Sequence, residues 1–392
     1  MTSCTTKTTS NSEGILICSL QLVVLHLSYR KRTQESSSTG KLSRFRSAPP
    51  SDDIVSHLTL ILMLHPSGNG TSFALYETLL AYVSPSPPRV QDIDILPSSL
   101  VSPIQYCDAD AALGIPKHVL IQCFLVARGR FFPPTDIKLL DQGSHDGNAV
   151  ASVVKSPETW EGEEERWKAT FIILLFDPNH TTAVNFRKRY LTSNLRRHPE
   201  ARALHGVSKS TPDLVDGELC LLESLVTSSM RKHNKSPTLF SHRLWLLRTF
   251  APYDDAEALR KLWRRELGIV MKAGGKHVGD YYAWNYARDV LVMTMDRFDT
   301  TGDCRWVLDL LDESVERVKH WCFKHPRDVS GWSFLAWLIG KGVELGGDHW
   351  VEVSLACLKD VKTWQTRLSW TGEAYESFSR SAGAIHELVI HD

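Results

Sequence analysis

Asp280-Tyr281-Tyr282-Ala283-Trp284-Asn285-Tyr286-Ala287-Arg288 is one of four copies of a single pattern in this chain. Each copy contains a turn residue, then a bulky apolar residue, then a basic or aromatic stretch typical of a helix start. The bulky residues, called the anchors below, are Val184, Phe240, Trp284 and Trp332. A helical phrase repeated along a chain predicts a solenoid of stacked helical units.

Amphipathic helices are predicted between the anchors. One stripe recurs at three- and four-residue steps and consists of Val307, Leu310, Leu311, Val315, Val318 and Cys322. Further helices are predicted from Ala256 to Met271, ending at Gly274-Gly275, and from Trp332 to Val343 and Val351 to Trp364. Each is too short and one-sided to be stable alone, so it must pack on its neighbours. The sequence predicts an all-α fold: a right-handed α-α superhelix, or solenoid, of helical hairpin repeats with a disordered N-terminal leader.

Four parts are distinguished by composition. They are a low-complexity leader at 1–70, an N-terminal helical region at 71–140, an acidic and polar linker at 141–165, and the helical repeats at 166–392. The leader is rich in Ser and Thr, and we interpret it as disordered. A secretory signal and an organelle-targeting segment are alternatives for it. In the second part we expect two helices, Phe73–Val83 and about Lys117–Phe132, with an extended segment at Ile93–Pro97.

Composition argues against several functional classes. The 45 basic and 45 acidic residues are interspersed, which is not the charge distribution of a nucleic-acid-binding protein. The apolar stretches at 15–27 and 54–64 are shorter than the ~20 residues of a membrane span, so no stable span is expected. The eight cysteines have no pair at two-residue spacing, which favours reduced thiols in a cytoplasmic protein.

The repeated phrase resembles that of a known family. The copies Asp177-Pro178-Asn179-His180-Thr181-Thr182-Ala183-Val184-Asn185-Phe186-Arg187-Lys188 and Lys235-Ser236-Pro237-Thr238-Leu239-Phe240-Ser241-His242-Arg243-Leu244-Trp245 are similar to the repeat of protein prenyltransferase alpha subunits. With the long spacing between copies and the added N-terminal region, the chain is most similar to the protein prenyltransferase alpha subunit repeat-containing proteins. The resemblance covers roughly residues 73 to 380.

This resemblance implies a crescent of helical hairpins that wraps a separate beta subunit. Such a heterodimer transfers a farnesyl or geranylgeranyl group from its diphosphate to a cysteine of a protein substrate. The resemblance places no cofactor or metal on this chain and expects zinc on the beta-type partner. The alternative is a non-catalytic helical-repeat scaffold for protein interactions.

Two residues stand where the catalytic alpha subunits contact the diphosphate region. Lys235 lies five residues before the second anchor, and Tyr281 lies three residues before the third. A flexible ammonium suits the charge that grows on a leaving oxygen. The resemblance therefore makes Lys235 and Tyr281 the candidate catalytic residues, and an exposed loop lysine is the alternative for Lys235.

Three departures from the family pattern lie beside these candidates. They are Tyr282 in place of a histidine, Pro237 in place of a tyrosine, and Gly279 in place of a lysine. Together they favour a divergent alpha-like subunit over a classical farnesyl or type I geranylgeranyl enzyme.

Arginines follow the first two anchors by three residues, at Arg187 and Arg243. In helical repeats, a buried arginine usually satisfies carbonyls at the end of the adjoining helix and pairs with a carboxylate. We interpret both arginines as structural and His242 as a hydrogen-bonded core or interface histidine. The tryptophans at 245, 284, 332 and 337 are interpreted as core residues.

Overall fold

The computed structural model describes residues 69–98, 104–132, 160–197, 214–250, 256–296, 305–369 and 372–390. These residues belong to one compact unit, Ser67–Asp392. Nearly all of the predicted leader at 1–70 and most of the predicted linker at 141–165 lie outside the described residues.

The first described part combines two helices with a small sheet. Helix α1 (Asn69–Val83) precedes the strands β1 (Asp92–Leu96), β2 (Gln105–Cys107) and β3 (Ala112–Pro116), and helix α2 (Lys117–Phe131) follows at once. Strand β3 lies centrally, parallel to β1 and antiparallel to β2, with Ile93 opposite Leu113. Both side chains are buried. The extended segment predicted at Ile93–Pro97 is thus a strand, whereas its pairing was not predicted.

The remaining described chain is helical, which confirms the predicted fold class. The helices are α3 (Trp160–Phe176), α4 (Thr181–Arg197), α5 (Leu214–Val226), α6 (Arg231–Asn234), α7 (Pro237–Phe250), α8 (Ala256–Lys276), α9 (Tyr281–Asp296), α10 (Arg305–Lys324), α11 (Val329–Leu368) and α12 (Glu373–Ile390). Within the described ranges, none of them is both long enough and apolar enough to cross a bilayer.

The four anchors occupy equivalent places. Each is buried, and each backbone amide donates to the carbonyl four residues earlier, at the residue that caps its helix. The stacking of successive hairpins is visible at Trp284, whose ring lies 4.9 Å from Trp321 and 5.1 Å from Phe334 between ring centroids. Helix pairs α3–α4, α5–α7, α8–α9 and α10–α11 therefore form the predicted solenoid of hairpins.

Helix α11 folds back on itself. The rings of Trp332 and Trp364 have centroids 5.9 Å apart, whereas a straight helix would separate positions 32 residues apart by about 48 Å. The chain reverses where Trp350 covers two glycines: a Cβ at Gly342 or Gly346 would lie 1.9 or 2.0 Å from the Trp350 ring. The two antiparallel arms agree with the separate helices predicted at 332–343 and 351–364.

One predicted helix end was wrong. Helix α8 continues to Lys276 through Gly274-Gly275, where the sequence predicted a stop. A Cβ at Gly274 would lie 3.1 Å from the Trp321 ring and 3.3 Å from Trp284 Nε1. This glycine therefore allows close packing of two tryptophans instead of ending the helix.

Five cysteines fall in the described ranges, and all are free thiols: Cys107, Cys123, Cys220, Cys322 and Cys357. Burial raises the pKa of the Cys123 thiol to about 12. Cys123 therefore stays protonated at neutral pH and packs as a small apolar side chain.

Candidate functional site

The predicted site lies at the connections, called turns below, between the two helices of each hairpin; the second of them, residues 227–236, includes helix α6. Each turn ends in a residue whose side chain accepts a hydrogen bond from a backbone amide three positions later and so caps the next helix. The pairs are His180 with Ala183, Ser236 with Leu239, Asp280 with Ala283, and Asp328 with Gly331. Every cap lies four residues before an anchor, so the second helix of each hairpin begins in the same way.

Hydrogen bonds connect neighbouring turns. Ser236 Oγ lies 2.8 Å from Asn179 Oδ1 and 3.1 Å from the Pro178 carbonyl, which joins the first and second turns. The Gly279 amide donates to Asp328 Oδ2 at 2.7 Å, which joins the third and fourth. The four turns therefore lie side by side along one edge of the solenoid.

Lys235 joins the second turn to the third. Its Nζ donates to the carbonyl oxygens of Val278 and Gly279, at 3.0 and 3.1 Å, and the residue is half-buried. An ammonium has three N–H groups, so one remains for another acceptor. The structure thus brings the Lys235 ammonium to a carbonyl two residues before Tyr281, at the beginning of α9.

Gly279 has a left-handed backbone, with φ of +71°. A residue with a side chain is strained in this conformation, whereas glycine is not. The turn that receives Lys235 is therefore built on a backbone conformation that glycine adopts without strain.

Asp280 was not singled out from the sequence. Its side chain is buried; Oδ1 accepts from the Ala283 amide at 3.3 Å, and Oδ2 has no partner among the described residues. Burial raises its pKa to about 6, although the Ala283 amide and the Lys235 charge oppose this shift. Asp280 is therefore a buried carboxylate close enough to Lys235 for the ammonium charge to lower its pKa.

Tyr281 and Tyr282 are both exposed, at 58% and 43%, and their rings meet edge to face with centroids 5.8 Å apart. The Tyr281 hydroxyl can therefore reach a bound molecule at this edge. In the described ranges, no group of three or more His, Cys, Asp or Glu side chains could hold a metal ion. The zinc expected on a beta-type partner stays a prediction.

Arg187 and Arg243 are structural, as predicted. Arg187 Nε donates to Glu218 at 2.8 Å, and its Nη1 donates to Thr170 Oγ1 at 2.5 Å. Arg243 donates to both oxygens of Glu266 and to the Leu219 carbonyl, each at 2.7 Å. Both arginines are completely buried, so each joins its hairpin to the next through one buried carboxylate.

Besides its arginine, each of these two buried carboxylates has a hydrogen bond with one more side chain. His242 Nε2 lies 2.6 Å from Glu218 Oε1, and the Tyr286 hydroxyl donates to Glu266 Oε2 at 2.7 Å. Burial alone would raise the pKa of Glu218, but the Arg187 charge and its hydrogen bonds lower it to about 2. Burial lowers the pKa of His242, so the imidazole is neutral and donates from Nε2. His242 is thus the hydrogen-bonded core histidine that was predicted.

Among the described residues, the junction between the third and fourth hairpins has no buried arginine and carboxylate of this kind. Three residues after the anchor Trp284, Ala287 stands in place of the arginine, and two residues after Trp332, Phe334 stands in place of the tyrosine. Ser314 stands in place of the glutamate, because it follows Glu266 by the 48 residues that separate Glu266 from Glu218. Ser314 Oγ donates to the Leu310 carbonyl and accepts from Trp263 Nε1. The two glutamates were missed in the sequence, although their 48-residue spacing was a usable signal.

Comparison with known proteins agrees with this geometry. The family model for the protein prenyltransferase alpha subunit repeat matches residues 263–294 and 311–342. The two matches are offset by 48 residues, as Trp284 and Trp332 are. The third and fourth hairpins are thus similar to protein prenyltransferase alpha subunit repeats. The resemblance recognised from the sequence is therefore confirmed.

The curated relatives are named after this repeat or after a prenyltransferase subunit. The chain is 25% identical over 199 residues to protein prenyltransferase alpha subunit repeat-containing protein 1 of Homo sapiens, covering 47% of this chain and 42% of the relative. It is 26% identical over 221 residues to the Danio rerio protein of that name, covering 53% and 43%. It is also 24% identical over 221 residues to geranylgeranyl transferase type-2 subunit alpha of Bos taurus, covering 49% and 37%. The match spans less than half the length of each relative.

Proposed function

We propose that this chain is an alpha-type subunit of a protein prenyltransferase. It would pair with a zinc-bearing beta subunit and support transfer of a farnesyl or geranylgeranyl group from its diphosphate to a protein cysteine. The repeats and the similarity to a geranylgeranyl transferase alpha subunit support this role. The observation that carries it is the position of Lys235, whose ammonium reaches the turn that presents Tyr281.

The proposed reaction is a substitution at carbon. The cysteine sulfur forms a bond to C1 of the prenyl group while the bond from C1 to the diphosphate oxygen breaks, and the diphosphate leaves with that electron pair. The thiol proton passes to solvent before attack. Zinc on the beta-type partner would lower the pKa of the thiol. The residues of this chain would act on the leaving group.

Lys235 is suited to that task by charge and reach. Its remaining N–H group can point to an anion at the turn, and its flexible stem allows the ammonium to follow the departing oxygens. The exposed Tyr281 hydroxyl can donate to the same group. Groups that meet negative charge as it develops lower the barrier to transfer.

Reconstitution tests the proposal. The full chain is co-expressed with a geranylgeranyl transferase beta subunit, and the purified mixture receives geranylgeranyl or farnesyl diphosphate and a protein that ends in cysteine. Mass spectrometry of the substrate should show one added prenyl group. Transfer no faster than with the beta subunit alone would contradict the proposal.

A scaffold without chemistry is the second candidate, and one observation favours it. Two of the three N–H groups of Lys235 are already used by backbone carbonyls, as in a purely structural clasp between turns. A scaffold would bind its partner through the repeats yet leave prenyl transfer unchanged. Stable complex formation without any gain in transfer would support it.

A further inference from the structure

The hairpin turns form a continuous surface, which we call the turn edge. It consists of residues 177–180, 227–236, 277–280 and 325–328, with the helix residues next to them. Hydrogen bonds from Ser236, Lys235 and Gly279 connect each turn to its neighbour. Because the turns are fixed to one another, their side chains act as one surface.

The exposed charged residues of the four turns are all positive, in a chain whose formal net charge is zero. Arg231, Lys232 and Arg327 are exposed there, and none forms an ion pair with a carboxylate in the part of the chain that the structure describes. The aspartates of the turns are less exposed: Asp177 is half-buried and accepts from the Asn179 amide at 3.1 Å, and Asp280 and Asp328 are buried helix caps. Each turn joins the carboxyl end of one helix to the amino end of the next, so the helix dipoles add little net potential at this edge.

Exposed apolar side chains occupy the third turn and the helix starts of the third and fourth hairpins. Val278 is 60% exposed, Tyr281 58%, Tyr282 43% and Val329 41%, whereas the anchors a few residues away are buried. Tyrosine surrounded by a charged rim is typical of protein interfaces. Exposed valines add apolar area that suits side chains of a protein and makes no hydrogen bond to a phosphate.

We propose that the turn edge binds an acidic segment of a partner protein. Glutamates or aspartates of that segment would pair with Arg231, Lys232 and Arg327, and its apolar residues would cover Val278 and Tyr282. Charge complementarity would speed association and make it sensitive to salt. The proposal does not require prenyl transfer, because it rests only on the charges and exposed side chains of the turn edge.

Fluorescence anisotropy with a labelled peptide tests the proposal on the full chain. The probe is a peptide of about 20 residues made of Glu, Leu and Phe, and the reference is the same peptide with Lys in place of Glu. The acidic probe should bind and the basic one should not. Its affinity should fall about fivefold or more between about 0.05 M and 0.15 M salt.

Variants identify the binding surface. Lys232→Glu with Arg327→Glu should weaken binding of the acidic probe about tenfold or more, and Tyr282→Ala should weaken it about threefold. The matched control is Lys261→Glu with Lys359→Glu, which makes the same charge change at exposed sites outside the turns and should leave binding unchanged. Circular dichroism melting confirms that every variant is folded.

Three outcomes would overturn the proposal. The first is that the wild-type chain does not bind the acidic probe. The second is that both double variants lose affinity for it equally. The third is that a labelled oligouridine or anionic vesicles of phosphatidylserine bind more tightly than the peptide. Failure of prenyl transfer in the reconstituted complex bears only on the enzymatic role, so the two proposals fail separately.

Discussion

Arg243 donates hydrogen bonds of 2.7 Å to both carboxylate oxygens of Glu266, and burial removes both side chains from water. Such a pair is costly to break, because the remaining partner keeps a buried charge without its counterion. The next junction of the solenoid has an alanine, a serine and a phenylalanine at the corresponding places, so a junction without ions is compatible with this fold.

Replacing one partner should therefore cost more than replacing the whole set. We expect Arg243→Met to lower the free energy of unfolding by about 3–5 kcal/mol. The triple change Arg243→Met, Glu266→Leu and Tyr286→Phe should cost less than that single change. Urea denaturation measures both. Arg264→Met, which breaks a partly exposed pair with Glu313, is the control and should cost under about 1 kcal/mol. A triple variant less stable than Arg243→Met would contradict this account.

The reversal of α11 should depend on its glycines. A Cβ at Gly342 would lie 1.9 Å from Cε3 of Trp350, so Gly342→Ala must displace the ring and should lower the free energy of unfolding by about 1–3 kcal/mol. Gly129 is also helical but has nothing within 4 Å of its Cβ position. Gly129→Ala should instead stabilise the protein by about 0.5–1 kcal/mol. Thermal melting of the two variants compares them, and equal effects would show that the reversal does not depend on Gly342.

A buried histidine should make the protein sensitive to acid. His233 Nε2 lies 3.1 Å from the Leu174 carbonyl, and burial lowers the pKa of the imidazole to about 4. Between pH 6.5 and about 4 the unfolded chain therefore binds a proton that the folded protein does not, so stability falls as pH falls through this window. The loss should reach on the order of 3 kcal/mol at pH 4.

His233→Gln tests this assignment, because glutamine keeps the donor to Leu174 and does not titrate. Its free energy of unfolding should decline less than that of the wild-type protein between pH 6.5 and 4. His320→Gln, at an exposed position on α10, is the matched control. Parallel curves for the wild-type protein and His233→Gln would remove His233 from the acid response.

Local pattern was sufficient to predict the repeated part of the fold. The anchors, the structural arginines and His242 all follow from spacing within one hairpin, because caps and stripes involve residues three or four positions apart. The partners of the arginines were not predicted, since Glu218 and Glu266 lie 31 and 23 residues beyond them. The pairing of β1 with β3 and the close packing at Gly274 also depend on tertiary contacts that one sequence does not display.

In the candidate site, too, local spacing was predictive and tertiary contacts were not. Lys235 and Tyr281 were selected by their offset from the anchors, and that offset indicates which turn each residue occupies. It does not indicate that Lys235 reaches across to Gly279, or that Asp280 is buried beside it. Both depend on how one hairpin packs against the next.

Steady-state kinetics of Lys235→Ala in the reconstituted heterodimer test the central claim most directly. We expect kcat/KM for prenyl transfer to fall on the order of 100-fold, with complex formation and melting temperature retained, because a group that stabilises the leaving diphosphate is lost. Lys261→Ala, at an exposed lysine far along α8 from the turn, should leave kcat/KM unchanged. An unchanged kcat/KM for Lys235→Ala in an intact heterodimer would contradict the catalytic role and favour the scaffold.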